Sequence, residues 1–151
     1  MEYEAFRRQD FIRGKPYANV EALLGPRDGK DIWVVGAHYD TAPGTPGADD
    51  NASGVAVLLE LARLMKDRSA GRNIRFVAFD TEEPPFFATR DMGSYRYARG
   101  LRAEGARVRR VLVLEMLGYF NPRPGSQLHP PFLALFYPKT GDFVGLASNL
   151  S

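Results

Sequence analysis

The sequence contains no cysteine and only two histidines among its 151 residues. Without thiols, the chain can form neither a disulfide scaffold nor a thiolate zinc site, and it has no thiol nucleophile. Its apolar runs all fall far short of the ~20 residues that cross a bilayer as a helix. Basic and acidic residues nearly balance, 20 against 18, so the net charge of +2 predicts binding neither to nucleic acid nor to an anionic membrane.

The composition that remains is typical of one globular domain, with 44% hydrophobic and 25% charged residues. Residues 1–16 carry charges of both signs and no apolar core of signal-peptide length. They therefore predict an N-terminal lead-in rather than an export signal. Residues 17–151 are predicted to form the domain itself.

Buried strands and amphipathic helices alternate along this domain. Apolar runs rich in β-branched residues predict strands over residues 32–37, 74–79 and 111–117. Apolar residues at helical spacing predict helices over residues 52–68 and 94–104. Strand, helix, strand, helix, strand at these lengths favours parallel crossovers and a layered α/β fold.

The flanks of this core carry further signals. Polar and apolar residues alternate over 17–24, which predicts an edge strand antiparallel to the first core strand. Residues 132–137 predict a fourth core strand, and Gly141 and Asp142 resemble a helix start with little room to continue. We therefore expect a sheet that is unfinished at its C-terminal side.

Acidic side chains gather where the predicted strands end, which is where open parallel sheets bind ligands. The candidate site residues are His38, Asp40, Asp49, Asp50, Glu82, Glu83 and Glu115. One imidazole among so many carboxylates would suffer strong repulsion unless a cation neutralised them. Nitrogen and oxygen ligands without thiolates suit Zn²⁺ or a similar divalent ion.

Each of these features also has a purely structural interpretation. His38 could be a hydrogen-bonded residue at a strand end, and residues 49–51 could cap the helix that follows them. Residues 82–83 could lie in a solvated loop. Glu115 stands among core residues, where an ion pair with an arginine explains it as well as a metal does. Only jointly do the four features favour a metal site.

Five segments, in order and spacing, resemble the clan-MH di-zinc aminopeptidases, a zinc exopeptidase family that also contains the glutaminyl cyclases. The segments read VVGAHYDT, PGADDNASG, TEEPPFF, MGS and VLEMLGYF. The resemblance implies a three-layer α/β sandwich with a mostly parallel central sheet and an antiparallel edge strand. It also implies that residues 17–151 are the N-terminal part of a peptidase catalytic domain.

The first two segments map onto metal ligands of that family. By the resemblance, His38 binds one zinc, and Asp40 holds its imidazole in the ligating orientation. Asp49 is then the aspartate that bridges both metals, and its peptide bond to Asp50 is expected to be cis.

The remaining segments map onto the base and further ligands. The resemblance assigns Glu82 as the general base and Glu83 as a ligand of the second zinc. Glu115 completes the ligands of the first zinc, at a position where many relatives have aspartate.

One family ligand has no counterpart, because the histidine of the second zinc comes from a region beyond Ser151, and His129 stands too early to replace it. The resemblance therefore implies two zinc ions in a complete site and one in this chain. It implies hydrolysis of the N-terminal peptide bond of a peptide by a metal-activated water.

Two alternatives stay open. The chain could be a catalytically incomplete metal-binding half-domain that needs a missing segment or a partner chain, and it could self-associate through the sheet edge after residues 132–137. A glutaminyl cyclase is less favoured, since those relatives use the opposite ligand set. Relatives are often exported, so the resemblance leaves the compartment open.

Overall fold

The computed structural model describes residues 4–12, 14–26, 31–68 and 71–149. These residues form five strands, two α-helices and a short π-helical segment. In chain order the strands and α-helices are β1 (Glu4–Ile12), β2 (Lys15–Leu24), β3 (Asp31–His38), α1 (Gly54–Met65), β4 (Asn73–Phe79), α2 (Gly93–Ala103) and β5 (Arg107–Val113). The π-helical segment, Ala48–Ser53, lies between β3 and α1. None of the helices is long and apolar enough to span a membrane, as judged over these described residues.

The five strands form one mixed sheet in the order β1-β2-β4-β3-β5. Strand β3 lies parallel to both β4 and β5, whereas β2 is antiparallel to β4 and β1 is antiparallel to β2. The predicted α/β fold with a mostly parallel central sheet and an antiparallel edge strand is therefore confirmed, although the strand at that edge is β1 and β2 lies inside it.

The predicted partner of β2 is wrong, because β2 pairs with β4 rather than with β3. Both edges of β3 are already occupied by β4 and β5, so no edge is left for β2. The predicted lead-in, residues 1–16, contributes β1, which lies outside β2 in the same sheet. The boundary at residue 16 stays a prediction.

The two helices cover opposite faces of the sheet, which gives three layers. Alternate residues of a strand point to opposite faces, so each strand contributes to two cores. On one face, Leu58 of α1 packs in a buried cluster with Ile74 and Phe76 of β4. On the other face, Tyr97 and Leu101 of α2 pack in a cluster with Val77 of β4.

Strand β5 differs from its prediction as a buried strand over residues 111–117. It runs from Arg107 to Val113 at the edge of the sheet, and its residues are exposed, with Val111 and Val113 at 58% and 57%. No element among the described residues lies beyond it. As a result, Glu115 follows the strand instead of lying within it.

The predicted fourth strand over residues 132–137 is also wrong, because this segment forms consecutive turns. The amides of Leu133 and Ala134 both donate to the carbonyl of Pro130, which closes the chain locally instead of pairing it with a strand. No helix follows Gly141 in the described residues up to 149, and Gly141 instead bridges Asn121.

Candidate metal centre

His38, the last residue of β3, is the buried nitrogen donor of the site, at 8% exposure. Its Nδ1 lies 3.0 Å from the backbone carbonyl of Asp40, which assigns the ring proton to Nδ1. The other nitrogen, Nε2, lies 3.1 Å from Asp50 Oδ1 and 3.4 Å from Glu115 Oε1. Nε2 therefore presents its lone pair to two carboxylates, which is the arrangement of an imidazole poised to bind a metal.

These groups open onto a pocket of about 310 Å³ at the carboxyl ends of the parallel strands. Both polar and apolar side chains line it. The lining residues are His38, Asp50, Phe79, Glu82, Glu83, Phe87, Ser94, Val113 and Glu115. The predicted convergence of strand ends on one site is thus realised by the topology.

Asp50, not Asp49, faces this pocket. One ligand atom each of His38, Asp50 and Glu83 lie within 4.8 Å of one another. Asp50 Oδ1 is shielded from solvent and has no hydrogen-bond partner among the described residues. The cis peptide bond in this loop joins Asp50 to Asn51, so the predicted cis bond between Asp49 and Asp50 is wrong.

Asp49 has a different environment. Its Oδ1 accepts hydrogen bonds from the Gly118 amide at 2.8 Å and from the Ser53 hydroxyl at 3.2 Å. Ser53 Oγ in turn accepts from the Leu117 amide at 2.9 Å. Asp49 therefore connects the segment before α1 to the segment after β5. It is not grouped with His38 and Glu83, the predicted zinc ligands that lie near Asp50.

Asp40 supports more of the site than its predicted role of orienting His38. Its carboxylate accepts the backbone amide of Glu82 at 3.1 Å and that of Glu83 at 2.9 Å. Its Oδ1 lies 3.4 Å from His38 Nδ1, so the closer contact to the imidazole is the backbone carbonyl. Asp40 thereby fixes the ends of β3 and β4 relative to each other.

Glu82 is held at the start of α2 by a residue that sequence reasoning did not assign. The Ser94 amide donates to Glu82 Oε1 at 2.6 Å, and the Ser94 hydroxyl donates to Oε2 at 2.8 Å. The amino end of a helix favours a carboxylate, so the contact complements the helix dipole. The one sequence feature that pointed to Ser94 is the MGS segment, which resembles the family but by itself gives the serine no role.

The site shifts the acid-base equilibria of its own groups. Burial opposes protonation of His38, but the carboxylates of Glu115 and Asp40 outweigh it and raise the pKa of the imidazole. Burial raises the pKa of Glu82, against the two hydrogen bonds from Ser94. Partial burial and the Asp50 carboxylate raise the pKa of Glu83. All three groups thus hold protons more tightly than in the unfolded chain.

We expect the metal-free chain to lose stability as the pH rises. A group with a raised folded pKa stabilises the fold below its unfolded pKa, and this contribution disappears as the pH passes the folded value. For the glutamates the loss begins above about 4.3, and for His38 above about 6.5. With a chelator present, the Tm should therefore be higher near about pH 5.5 than near about pH 8, and His38→Gln should shrink the difference. An unchanged difference in His38→Gln would contradict the assigned shift.

The residues present fit a divalent cation. Two carboxylates, of Asp50 and Glu115, lie at His38 Nε2 and a third, of Glu83, lies within 4.8 Å of a ligand atom of His38, which is electrostatically unfavourable without positive charge. A buried carboxylate oxygen without a hydrogen-bond donor, Asp50 Oδ1, faces the same point. Imidazole and carboxylate are the ligands that zinc prefers when thiolate is absent.

Comparison with known proteins assigns a family. The model of "Peptidase family M28" matches residues 19–139, a span that contains every candidate site residue. The chain belongs to peptidase family M28. Within this family match, the motifs from VVGAHYDT to VLEMLGYF all fall inside the aligned region.

Relatives of this M28 chain are longer than it is. YfbL of Escherichia coli K12 is 45% identical over 148 residues, which cover 92% of this chain but 45% of YfbL. Aminopeptidase YwaD of Bacillus subtilis is 46% identical over 67 residues, 43% of this chain and 15% of that protein. A Pyricularia oryzae protein named a probable zinc metalloprotease is 34% identical over 107 residues, 66% of this chain and 20% of that protein. The chain thus spans less than half the length of these relatives.

Solved structures share the fold of the M28 chain. An aminopeptidase from Aneurinibacillus superposes with a TM-score of 0.60 at 34% identity, over 72% of this chain and 26% of that one. Glutaminyl cyclase from Porphyromonas gingivalis superposes with a TM-score of 0.62 at 27% identity, over 77% of this chain and 48% of that one. The family resemblance drawn from the motifs is therefore confirmed.

Proposed function

We propose that the protein is a zinc metallopeptidase that removes N-terminal residues from peptides. The observation that carries the proposal is His38 Nε2, which faces the carboxylates of Asp50 and Glu115 while a ligand atom of Glu83 lies within 4.8 Å of those of His38 and Asp50. The names of aligned relatives, an aminopeptidase and a probable zinc metalloprotease, support zinc and the exopeptidase reaction.

We assign His38, Asp50 and Glu115 as the ligands of one zinc ion, and Asp50 with Glu83 as those available to a second. Asp50 replaces the predicted Asp49, because only Asp50 lies with His38 and Glu83. Zinc bound there would supply Lewis-acid polarisation of the scissile carbonyl and would lower the pKa of the attacking water. Asp40 would hold the imidazole and both glutamates in place.

Glu82 is the general base in this proposal. Its carboxylate lines the pocket beside the ligands, and it can accept the proton of the attacking water and return it to the leaving amine. Ser94 holds both of its oxygens, so the carboxylate has a defined direction. The substrate is a peptide with a free N-terminus.

The direct test is zinc stoichiometry after loading and dialysis, with hydrolysis of a panel of aminoacyl p-nitroanilides measured alongside. The three-ligand site predicts about one zinc per chain. His38→Ala should lose it, because the nitrogen ligand is gone. His129→Ala is the matched control, since His129 contacts Pro138 O, Tyr137 and Phe143 rather than the site. A folded wild-type chain that binds no zinc would overturn the proposal.

A glutaminyl cyclase is the second candidate, favoured by the superposition on the cyclase from Porphyromonas gingivalis. The two reactions differ in product. A peptidase releases the N-terminal amino acid, whereas a cyclase converts an N-terminal glutamine to a cyclic pyroglutamyl residue and releases ammonia. Mass spectrometry of a glutaminyl peptide incubated with the zinc-loaded chain separates them. Loss of ammonia with no free glutamine would favour the cyclase.

Self-association through a sheet edge remains a further proposal, and it concerns β5 because residues 132–137 form no strand. Strand β5 lies at the edge of the sheet with no strand beyond it among the described residues, and exposed apolar side chains such as Val111 flank its backbone, so this edge can pair with a strand of a second copy. We expect light scattering to show a concentration-dependent dimer that Val111→Lys disrupts. Leu59→Lys, on the exposed side of α1 at 66%, should leave the dimer intact. A monomer at all concentrations would contradict the proposal.

A further inference from the structure

Asn51 is a buried and fully hydrogen-bonded amide next to the candidate metal centre. It is 1% exposed and lies between Asp50 and the start of α1. Its Nδ2 donates to the Leu114 carbonyl at 2.9 Å and to Glu115 Oε2 at 3.3 Å. Its Oδ1 accepts the Met116 amide at 3.1 Å and the Gly54 amide at 3.2 Å. The amide thus uses both donors and both acceptor positions.

These bonds fix a segment that has no other regular structure. Strand β5 ends at Val113, so residues 114–116 lie outside it, although the Leu114 amide still donates to Gly36 O. Asn51 bonds Leu114, Glu115 and Met116, and so connects this segment to the loop that carries Asp50. The two loops therefore cannot move independently.

The contact with Glu115 also distinguishes its two oxygens. Oε2 takes the hydrogen bond from Asn51, and Oε1 lies 3.4 Å from His38 Nε2. An exposed glutamate with three side-chain torsions would otherwise occupy several rotamers, since its side chain is 48% exposed. One bonded oxygen leaves the other directed at the imidazole nitrogen.

We propose that Asn51 is a positioning residue for Glu115, which binds one carboxylate oxygen so that the other is directed at the cation site beside His38. The proposal rests on the proposed function in one respect, the role of Glu115 as a zinc ligand. It assigns Asn51 no contact with zinc or substrate.

Only an amide of this length satisfies the pocket that Asn51 fills. Aspartate offers no donor and would oppose both the Leu114 carbonyl and the Glu115 carboxylate. Space is also limited, because a Cβ on Gly54 would lie 2.3 Å from Asn51 Oδ1 and 2.8 Å from Leu114 O. Glycine at position 54 is what allows the helix to begin so close to this amide.

The test is a double-mutant cycle on zinc affinity, measured by competition with a chromophoric chelator. Asn51→Ala should weaken zinc binding by about 10–100-fold, the usual cost of losing a group that orients a ligand. In a Glu115→Ala background the same substitution should change the affinity by less than about twofold, because the group it acts through is gone. Cobalt-loaded Asn51→Ala should also show an altered visible spectrum, as the ligand geometry has changed.

Asn51→Ser is the second variant in case truncation unfolds the chain, since serine keeps a hydroxyl that can donate or accept in this pocket but lacks the Nδ2 donor that reaches Glu115 Oε2. It is measured in both backgrounds, so the cycle removes any effect on zinc affinity that does not pass through Glu115. Asn19→Ala is the control for loss of a buried amide. Asn19 also bridges two segments, donating to Gly93 O and accepting from the Asp80 amide, and it should lower stability without changing zinc affinity.

Equal losses of zinc affinity in both backgrounds, or no loss in either, would overturn the role of Asn51. Unchanged zinc affinity in Glu115→Ala would show that Glu115 is not a zinc ligand, which removes the premise of the role of Asn51. A zinc site formed by His38 and Asp50 would remain consistent with that result. A wild-type chain that binds no zinc would instead contradict the proposed function. The three failures are therefore distinguishable.

Discussion

Asp50→Asn is expected to abolish zinc binding, whereas Asp49→Asn is expected to leave it nearly unchanged. Asp50 Oδ1 is buried, has no hydrogen-bond donor among the described residues and lies 3.1 Å from His38 Nε2. Asparagine would remove the negative charge that binds the cation. Because a direct ligand is lost, the effect should exceed the ~10–100-fold that loss of an orienting partner costs. Isothermal titration with zinc measures both variants.

Asp49→Asn is a matched control because the two residues are adjacent and the substitution is the same. Asparagine keeps an oxygen that can accept from the Gly118 amide and the Ser53 hydroxyl, so the loop should retain its conformation. Zinc affinity should therefore stay within about threefold of wild type, since no ligand is lost. If Asp49→Asn lost zinc and Asp50→Asn kept it, Asp49 would be the zinc ligand, as the motifs imply, and the assignment of Asp50 would be wrong.

Glu82→Gln is expected to keep zinc and to lower turnover of an aminoacyl p-nitroanilide by about 10²–10⁴-fold, the usual contribution of a general base. The glutamine amide cannot accept the proton of the attacking water, whereas no proposed ligand is altered. The fold should tolerate the change, because the Ser94 amide can still donate to Oε1 and its hydroxyl can turn to accept from the new amide.

Metal content decides how a loss of activity in Glu82→Gln is interpreted. Wild-type zinc with lost turnover supports the base, whereas lost zinc would make Glu82 a ligand. Glu60→Gln on the exposed side of α1 is the control, since Glu60 pairs only with Arg63 in the described structure and should leave kcat and zinc unchanged. Wild-type turnover in Glu82→Gln would remove Glu82 from the mechanism.

The core of the fold was predictable because burial leaves a local pattern. The strands predicted over residues 32–37 and 74–79 are β3 and β4, each extended by at most one residue at either end. Both helices also formed, although α1 ends at Met65 rather than at residue 68 and begins at Gly54 rather than at residue 52, because a short π-helical segment, Ala48–Ser53, precedes it. Residues buried on both sides have few alternatives, so pattern and structure agree there.

Prediction was poorer where elements lie at an edge. Strand β5 begins at Arg107, four residues before the predicted start, and includes the basic segment 107–110, because an edge strand tolerates exposed charged residues. Residues 132–137 are apolar enough for a buried strand, yet they form turns in which Leu133 and Ala134 bond back to Pro130. An apolar run alone does not indicate whether a neighbouring strand is available to pair with it.

The sequence by itself determined which side chains converge. His38 ends β3 and Glu82 and Glu83 follow β4, and parallel strands bring such ends to one edge of a sheet whatever the conformation of the loops. Only the tertiary structure decided which of two adjacent aspartates faces that edge and which residue holds each glutamate. The choice between the aspartates and the contact of Asn51 with Glu115 depend on hydrogen bonds between residues 49–54 and 114–118, more than sixty positions apart, and the contact of Ser94 with Glu82 depends on where α2 begins. No local pattern records such bonds.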